Sequence, residues 1–316
     1  MPLDPNVAGF LQFLAASGTP EIAEGTVEQA RAAIRTLMVD LRDPSIVVEV
    51  GSVSDATIAA TIPSRVYRPA ATGPTPTVVY LHGGGFVIGD LDTHDNICRR
   101  LSADLDAVVV SVDYRLAPEH RFPAAVEDCY AALTWVAEHL DEYGGDPARL
   151  VVGGDSAGGN LAAVCAQLAH ADGLPLAAQL LVYPAVDLLG DYPSRTENAE
   201  GYFLTLADMY WFAEHYTGLR EGDPGAAELD ADPRLSPIRT ASLAGLAPAI
   251  VATAEFDPLR DEGNAYAAAL ETAGVPVAHR QFPGLIHGFY GLEHLSPAIA
   301  DATSWINARL KETVGG

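Results

Sequence analysis

Apolar positions along this chain change their period several times, and each change marks a different kind of element. Between residues 5 and 40 they recur at helical spacing: Phe10, Phe13 and Leu14 share a face, and EQARAAIRTLM follows a Thr26 cap. Two helices are therefore predicted ahead of any strand. From Ile46 the period shortens, and IVVEV, ATIAATI and RVYRP, set apart by Ser-Asp turn material, predict antiparallel edge strands. After Gly73 and Pro74 the runs TVVYLHG, AVVVSVDYR, RLVVGGDS, QLLVYPA, AIVATAEFD and VAHRQF are almost continuously apolar, as strands covered on both faces must be. Helical stretches fall between or after them, at 95–105, 124–139, 157–169, 260–273 and 297–311, the last with Ser296 as cap and Pro297 in its first turn. Strand followed repeatedly by helix predicts an α/β chain: a mostly parallel eight-stranded sheet with helices on both faces.

The alternation lapses between Asp187 and Ser236, where polar turns, a helical pattern LADMYWFAEHY and the stretch EGDPGAAELDADP, read as flexible, replace it. The expected division is an N-terminal helical cap segment at 1–45, a catalytic core at 46–190, a second cap segment at 191–235 and the rest of the core at 236–316. Loops at the carboxyl ends of strands carry function in such sheets, so both cap segments are lid candidates.

With 49% hydrophobic residues among 316, the chain can bury a large single core. Its 42 acidic residues against 18 basic ones, a net charge of -24, argue against partners held through phosphates, so neither nucleic acid nor an anionic membrane surface is expected. Cys98, Cys129 and Cys165 are an odd set without CxxC spacing and fit free thiols in a reducing, cytoplasmic setting. The first residues carry an acid where a secretory leader needs a base, and no segment reaches the roughly 18 apolar residues of a membrane span. No histidine or cysteine spacing suggests a metal site.

Gly154, Ser156 and Gly158 form G-x-S-x-G between a strand pattern and a helix pattern. A sharp strand-to-helix turn strains the serine backbone, and glycines two residues to either side leave room for it. The Ala157 N–H, at a helix start, can donate to developing negative charge. Upstream, His82-Gly83-Gly84-Gly85 follows the run TVVYL, and three consecutive glycines can turn their N–H groups toward one point. Gly83 and Gly84 are the expected donors, and His82 is expected to brace the loop.

The base must follow the serine and an acid in chain order, which leaves His279, His287 and His294. His279 lies inside a strand pattern and His294 beyond the sheet, whereas His287 sits in a loop just after the last strand, between Gly284 and Gly288. The acid belongs at a strand's carboxyl end, where Glu255, Asp257 and Asp261 occur. Asp257, first after the run and followed by Pro258, is the expected partner of His287; Asp261 has a structural role available in the first helical turn.

These pieces together resemble the bacterial hormone-sensitive-lipase family of esterases. The resemblance is carried by HGGGF at 82–86, VDYRLAPEHRFPAAVED at 112–128, GDSAGGN at 154–160, AEFDPLRDEG at 254–263 and GLIHGF at 284–289, with NAEGYFLT at 198–205 similar to the family's cap. It implies an α/β-hydrolase fold and a serine carboxylesterase with Ser156, Asp257 and His287 as triad and Gly83, Gly84 and Ala157 as oxyanion donors. It further implies no cofactor, a small-molecule ester substrate of short to medium acyl chain, and, in many members, a homodimer through an edge strand. Asp113, Tyr114, Arg115 and Glu119 in the DYRLAPE segment are expected to brace the glycine loop. Adjacency to these loops makes Phe86, Tyr183, Phe203, Leu204, Trp211, Leu285 and Ile286 acyl-pocket candidates. The same machinery could cleave amides or lactones, and a non-catalytic receptor on this scaffold, as the plant gibberellin receptors are, is disfavoured because those have lost the histidine.

Overall fold

The computed structural model describes residues 2–18, 21–71, 73–188, 190–220 and 222–315. Among them eight strands form one sheet: β1 (Ser52–Ile58), β2 (Ile62–Arg68), β3 (Thr75–Leu81), β4 (Val108–Val112), β5 (Gly145–Asp155), β6 (Ala178–Val182), β7 (Ala249–Phe256) and β8 (Val277–Ile286). Their spatial order is β1-β2-β4-β3-β5-β6-β7-β8. The β1–β2 hairpin and the β2–β4 pair are antiparallel, and every pairing from β4 across to β8 is parallel, as the strand-helix alternation predicts.

Helices α1 (Pro5–Ala16) and α2 (Val27–Arg35) precede the sheet; α3 (Asp95–Leu105), α4 (Ala124–Glu138), α5 (Leu140–Tyr143) and α6 (Ala157–Asp172) lie within its first part. Then come α7 (Pro193–Glu197), α8 (Leu206–Thr217) and α9 (Ala226–Asp230) in the insertion, and α10 (Arg260–Thr272) and α11 (Pro297–Gly315) at the end. Strand pleating sends alternate side chains to opposite faces. On β3, Val79 and Leu81 enter a core shared with α4, α6 and α10, while Val78 and Tyr80 enter one shared with α1, α3 and α11. That two-sided burial is why the central runs contain no alternation.

Two expectations need correction at the sheet's first edge. The run at 46–50 is not a strand: the Val48 N–H donates to Asn96 Oδ1 at 2.9 Å and the Val48 carbonyl accepts from Arg99 Nη1 at 3.3 Å. Side chains of α3 thus satisfy backbone groups that a neighbouring strand would have taken. ATIAATI is not one strand either but the tip of a hairpin, Ile58 pairing with Ile62 across Ala59 and Ala60 at φ +45° and +69°. Left-handed alanines leave no glycine or asparagine signature to mark the turn.

The two segments expected to form a cap touch each other. A capping box between Thr26 and Gln29 starts α2, and the Ala23 N–H ahead of it donates to Asp208 Oδ1 of α8 at 2.9 Å, joining the two segments. The polar stretch read as flexible contains α9, although its first residue, Glu221, lies outside the described residues, as does Leu189. Cys98, Cys129 and Cys165 are buried free thiols on α3, α4 and α6. No helix among the described residues is long and apolar enough to cross a membrane.

Candidate active site

β5 ends at Asp155 and α6 begins at Ala157, leaving Ser156 between them at φ +56°, ψ -119°. Such backbone costs about 1–3 kcal/mol and persists only where its surroundings over-determine it. Here the Ser156 N–H donates to the Val182 carbonyl at 2.9 Å and its own carbonyl accepts from Asn160 N at 3.0 Å. The glycines are required by contact: a Cβ at Gly158 would strike the Leu81 carbonyl oxygen, and one at Gly154 the carbonyls of Leu81 and Gly158.

The Ser156 Oγ lies 2.9 Å from His287 Nε2, and His287 Nδ1 lies 2.8 Å from Asp257 Oδ2. His287 follows the end of β8 and Asp257 the end of β7, so three strand ends converge on one point. Asp257 is fully buried; its Oδ1 accepts from Leu259 N at 2.8 Å and its carbonyl from Asn198 Nδ2 at 3.1 Å. A carboxylate only accepts, so the histidine proton sits on Nδ1 and Nε2 is left to receive the serine hydroxyl. The rival acids are engaged elsewhere. Glu255 Oε2 accepts from Gly284 N at 2.8 Å, and Asp261 binds Arg260 at 2.7 Å and Ser194 N at 2.9 Å. His279 sits in mid-β8 against Asn264.

The glycine loop differs from expectation at one position. The Gly83 N–H already points away, to Asp155 Oδ1 at 3.1 Å and His94 Nε2 at 3.3 Å. The N–H groups of Gly84, Gly85 and Ala157 have no partner among the described residues. Gly83 is therefore an anchor rather than a free donor, and the N–H that stands free beside that of Gly84 is Gly85's. Asp155, buried, also accepts from Tyr80 OH at 2.7 Å. Burial opposes its ionisation, but His94 and the hydroxyl of Tyr80 outweigh that and hold its carboxyl below the ordinary range. His82 does brace the loop: its Nδ1 meets the Gly83 carbonyl at 2.8 Å, and burial first, then His94, pull its pKa down to about 4. From the DYRLAPE segment only Tyr114 touches His82, donating to its carbonyl at 2.7 Å and stacking at 4.3 Å. Glu119 pairs with Arg31 at 2.7 Å, and Arg31 Nε in turn donates to the Val87 carbonyl at 2.9 Å just past the glycines, whereas Arg115 pairs with Asp128, also at 2.7 Å.

Ser156 opens into a cavity of about 440 Å³ between the sheet and the cap. Phe86, Tyr183, Phe203 and Leu204 line it, as adjacency suggested, and Tyr183 also lies against the His287 ring at 4.6 Å. Trp211, Leu285 and Ile286 lie off its wall. Leu285 and Ile286 are buried in the core with α11, and Trp211 packs on His215, one helical step away from the inward-facing Phe212. The sequence reading missed Phe212, Tyr216 and Leu229 of the cap, and also Glu262. Glu262, raised to about 7 by burial, binds Arg195 at 2.7 Å and Val186 N at 2.8 Å beside the cavity. Among the described residues no group of three or more His, Cys, Asp or Glu could hold a metal ion.

Residues 78–291 match a family described by the alpha/beta hydrolase fold. The chain is 44% identical to carboxylic ester hydrolase LipN of Mycobacterium tuberculosis over 98% of its own length and 82% of that protein's. It is 43% identical to carboxylesterase NlhH of the same organism, over 91% of this chain and 90% of the relative. A hyperthermophilic esterase from the archaeon Pyrobaculum calidifontis superposes with a TM-score of 0.92 at 43% identity, covering 99% of both chains. With the sheet order, the strained serine and this breadth of identity in agreement, the chain belongs to the hormone-sensitive-lipase family of α/β hydrolases.

Proposed function

We propose that this protein is a serine carboxylesterase acting on small-molecule esters of short to medium acyl chain through an acyl-enzyme on Ser156. The observation that carries the reading is the hydrogen-bonded chain Ser156–His287–Asp257 on the floor of a cavity of about 440 Å³, within the size range of small-molecule sites. Ser156 Oγ attacks the ester carbonyl carbon while its proton passes to His287 Nε2, and Asp257 stabilises the imidazolium without taking the proton. The carbonyl π electrons move to oxygen, and that oxyanion faces the N–H groups of Gly84, Gly85 and Ala157. Collapse expels the alcohol, which takes the proton from His287. Water then attacks the acyl-enzyme with His287 as base and releases the acid.

The names of the relatives support ester over amide or lactone cleavage. Buried thiols on three separate helices support a reducing, cytoplasmic setting. β1 and β8 are the edge strands of the sheet, and a homodimer of the kind the family resemblance implies would form through one of them. The deciding experiment measures hydrolysis of nitrophenyl esters from two to sixteen carbons by wild type and Ser156→Ala, with the acyl-enzyme sought by mass spectrometry. Wild-type activity peaking at short to medium chains and absent in Ser156→Ala is expected. Inactivity of wild type at every length overturns the esterase reading; activity surviving in Ser156→Ala removes Ser156 from its role.

A further inference from the structure

The glycine loop ends in a residue held in an unfavourable conformation. Gly84, Gly85 and Phe86 take φ +116°, +58° and +64° in succession, and Phe86, with a bulky side chain, gains nothing intrinsic from that region. Its carbonyl accepts from Ala117 N at 2.9 Å, which fixes one end of the peptide. Within the turn the Gly84 carbonyl accepts from Val87 N at 3.0 Å and Ile88 N at 2.9 Å, and aromatic rings of α8 back the loop from the other side. The Phe86 ring stacks on Tyr216 of α8 at 3.9 Å and 9°. One turn earlier on α8, the Phe212 ring covers Gly85 so closely that a Cβ on Gly85 would fall among its ring carbons.

We propose that Phe212 is a positioning residue: its ring, pressed on Gly85, backs the Gly84–Gly85 peptide, whose carbonyl accepts from Val87 N and Ile88 N, and so keeps the Gly85 N–H on its aim, making α8 a working wall of the oxyanion pocket as well as a cover for substrate. Three observations meet on this point. Gly83 is anchored from below by Asp155 and His94, so the loop has a fixed start. Phe86, at φ +64°, sits in a conformation that relaxes unless something over-determines it. What lies against Gly85 and Phe86 on the outer side is α8, with Phe212 nine-tenths buried and Tyr216 almost fully so. A rigid aromatic surface is suited to this, because close-packed contacts resist displacement in every direction except along the ring plane. The partially positive N–H would hold its aim without a hydrogen bond of its own until negative charge develops on the substrate oxygen.

This inference rests on the esterase reading, and its test separates the two. The alternative role for Phe212 is simply to fill the substrate cavity, which it also lines. Wild type, Phe212→Leu, Phe212→Ala and Phe212→Tyr are compared for kcat and KM on nitrophenyl acetate, whose small acyl group barely uses the cavity. Inhibition by an aryl trifluoromethyl ketone, whose hemiketal oxyanion occupies the same pocket as the transition state, is measured alongside. Loss of a donor outright costs about 10²–10³-fold in kcat, so a misaimed donor is expected to cost roughly 10–100-fold in Phe212→Ala. KM should stay within about two- to threefold, the ketone Ki should rise in step with the fall in kcat/KM, and Phe212→Tyr should restore most of kcat. A change confined to KM, or a Ki that does not follow kcat/KM, overturns the proposal. Should Phe212→Ala not fold, Phe212→Leu at an unchanged Tm reads the same correlation at smaller amplitude. Wild type inert toward esters and unlabelled by a fluorophosphonate brings down the esterase reading itself, and this inference with it.

Discussion

Replacing Asp257 by Asn tests the assignment of the acid more sharply than deleting the side chain, because the amide cannot satisfy both of its neighbours. In the native site Oδ2 faces His287 Nδ1 and Oδ1 accepts from the Leu259 N–H, each at 2.8 Å, with no water access to a fully buried carboxylate. An asparagine has one oxygen. If that oxygen stays on Leu259, the NH₂ faces Nδ1, which must then accept; the proton moves to Nε2 and His287 can no longer receive the serine proton. If the amide turns over, two donors meet at Leu259, leaving a buried N–H unsatisfied at about 1–3 kcal/mol. The first arrangement is therefore favoured, and by analogy with other triads the wrong tautomer lowers kcat by about 10³–10⁴-fold, roughly 4–5.5 kcal/mol in the barrier. Asp261→Asn keeps an acceptor for Ser194 N and sits beside Arg260, so it should stay within about tenfold of wild type. Steady-state kinetics on a short nitrophenyl ester, normalised by active-site titration, gives both numbers. Equal losses, or a larger one for Asp261→Asn, would refute the assignment of Asp257.

Further outcomes follow from the same geometry. Ser156→Gly should be more stable than Ser156→Ala by about 1–2 kcal/mol, roughly 1.5–3 °C in Tm, because both lack the hydroxyl and only glycine is at ease at φ +56°; equal melting points would mean the elbow stores no strain. Glu119, paired with Arg31 on α2, has its carboxyl pulled to about 2, chiefly by the hydrogen bond from that guanidinium. A depressed pKa adds stability above the unfolded value and gives it up on acidification. The Tm advantage of wild type over Glu119→Gln should thus hold from pH 8 to about 5 and shrink below about 4.5; an advantage that grows on acidification contradicts the pairing. Finally, 42 acidic residues exceed 18 basic ones by 24, so most of the excess has no partner to pair with. Shortening the Debye length from about 30 Å at 10 mM salt to about 3 Å at 1 M should raise Tm by calorimetry, and a fall would show that surface ion pairs dominate instead.

What was legible in the sequence was legible where a local backbone demand selects residue types. Gly154 and Gly158 announce the elbow because no other residue fits beside the Leu81 carbonyl, and the unbroken apolar runs announce a sheet covered on both faces. His287 and Asp257 followed from chain order and from their places after strands. The failures share a different cause. Three consecutive glycines look alike in sequence, and which N–H is free depends on Asp155, 72 residues away, reaching back to Gly83. Trp211 and Phe212 are neighbours in sequence but about 100° apart around α8, and only the packing decides which one faces the cavity. Leu285 and Ile286 adjoin His287 in the chain, yet both belong to the core beneath β8. Nothing in the run at 46–50 could reveal that Asn96 and Arg99 of α3 would claim its backbone.

The position of β8 at the boundary of the sheet has a consequence for how the protein wears out. Ser156 stands on the central strand β5, hemmed in by neighbours on both sides, whereas His287 hangs from a strand paired along one edge only and steadied there by the Asp4 N–H on the Gly284 carbonyl at 3.0 Å. Outer strands open at lower free energy than inner ones. Warming should therefore part the base from the nucleophile while most of the helix and sheet content is still in place. The chemistry then serves as a gauge of the last strand's attachment: turnover should fade at temperatures where circular dichroism still reports an intact fold, and contacts that fasten β8 or α1 should lengthen working life more than any improvement to the core.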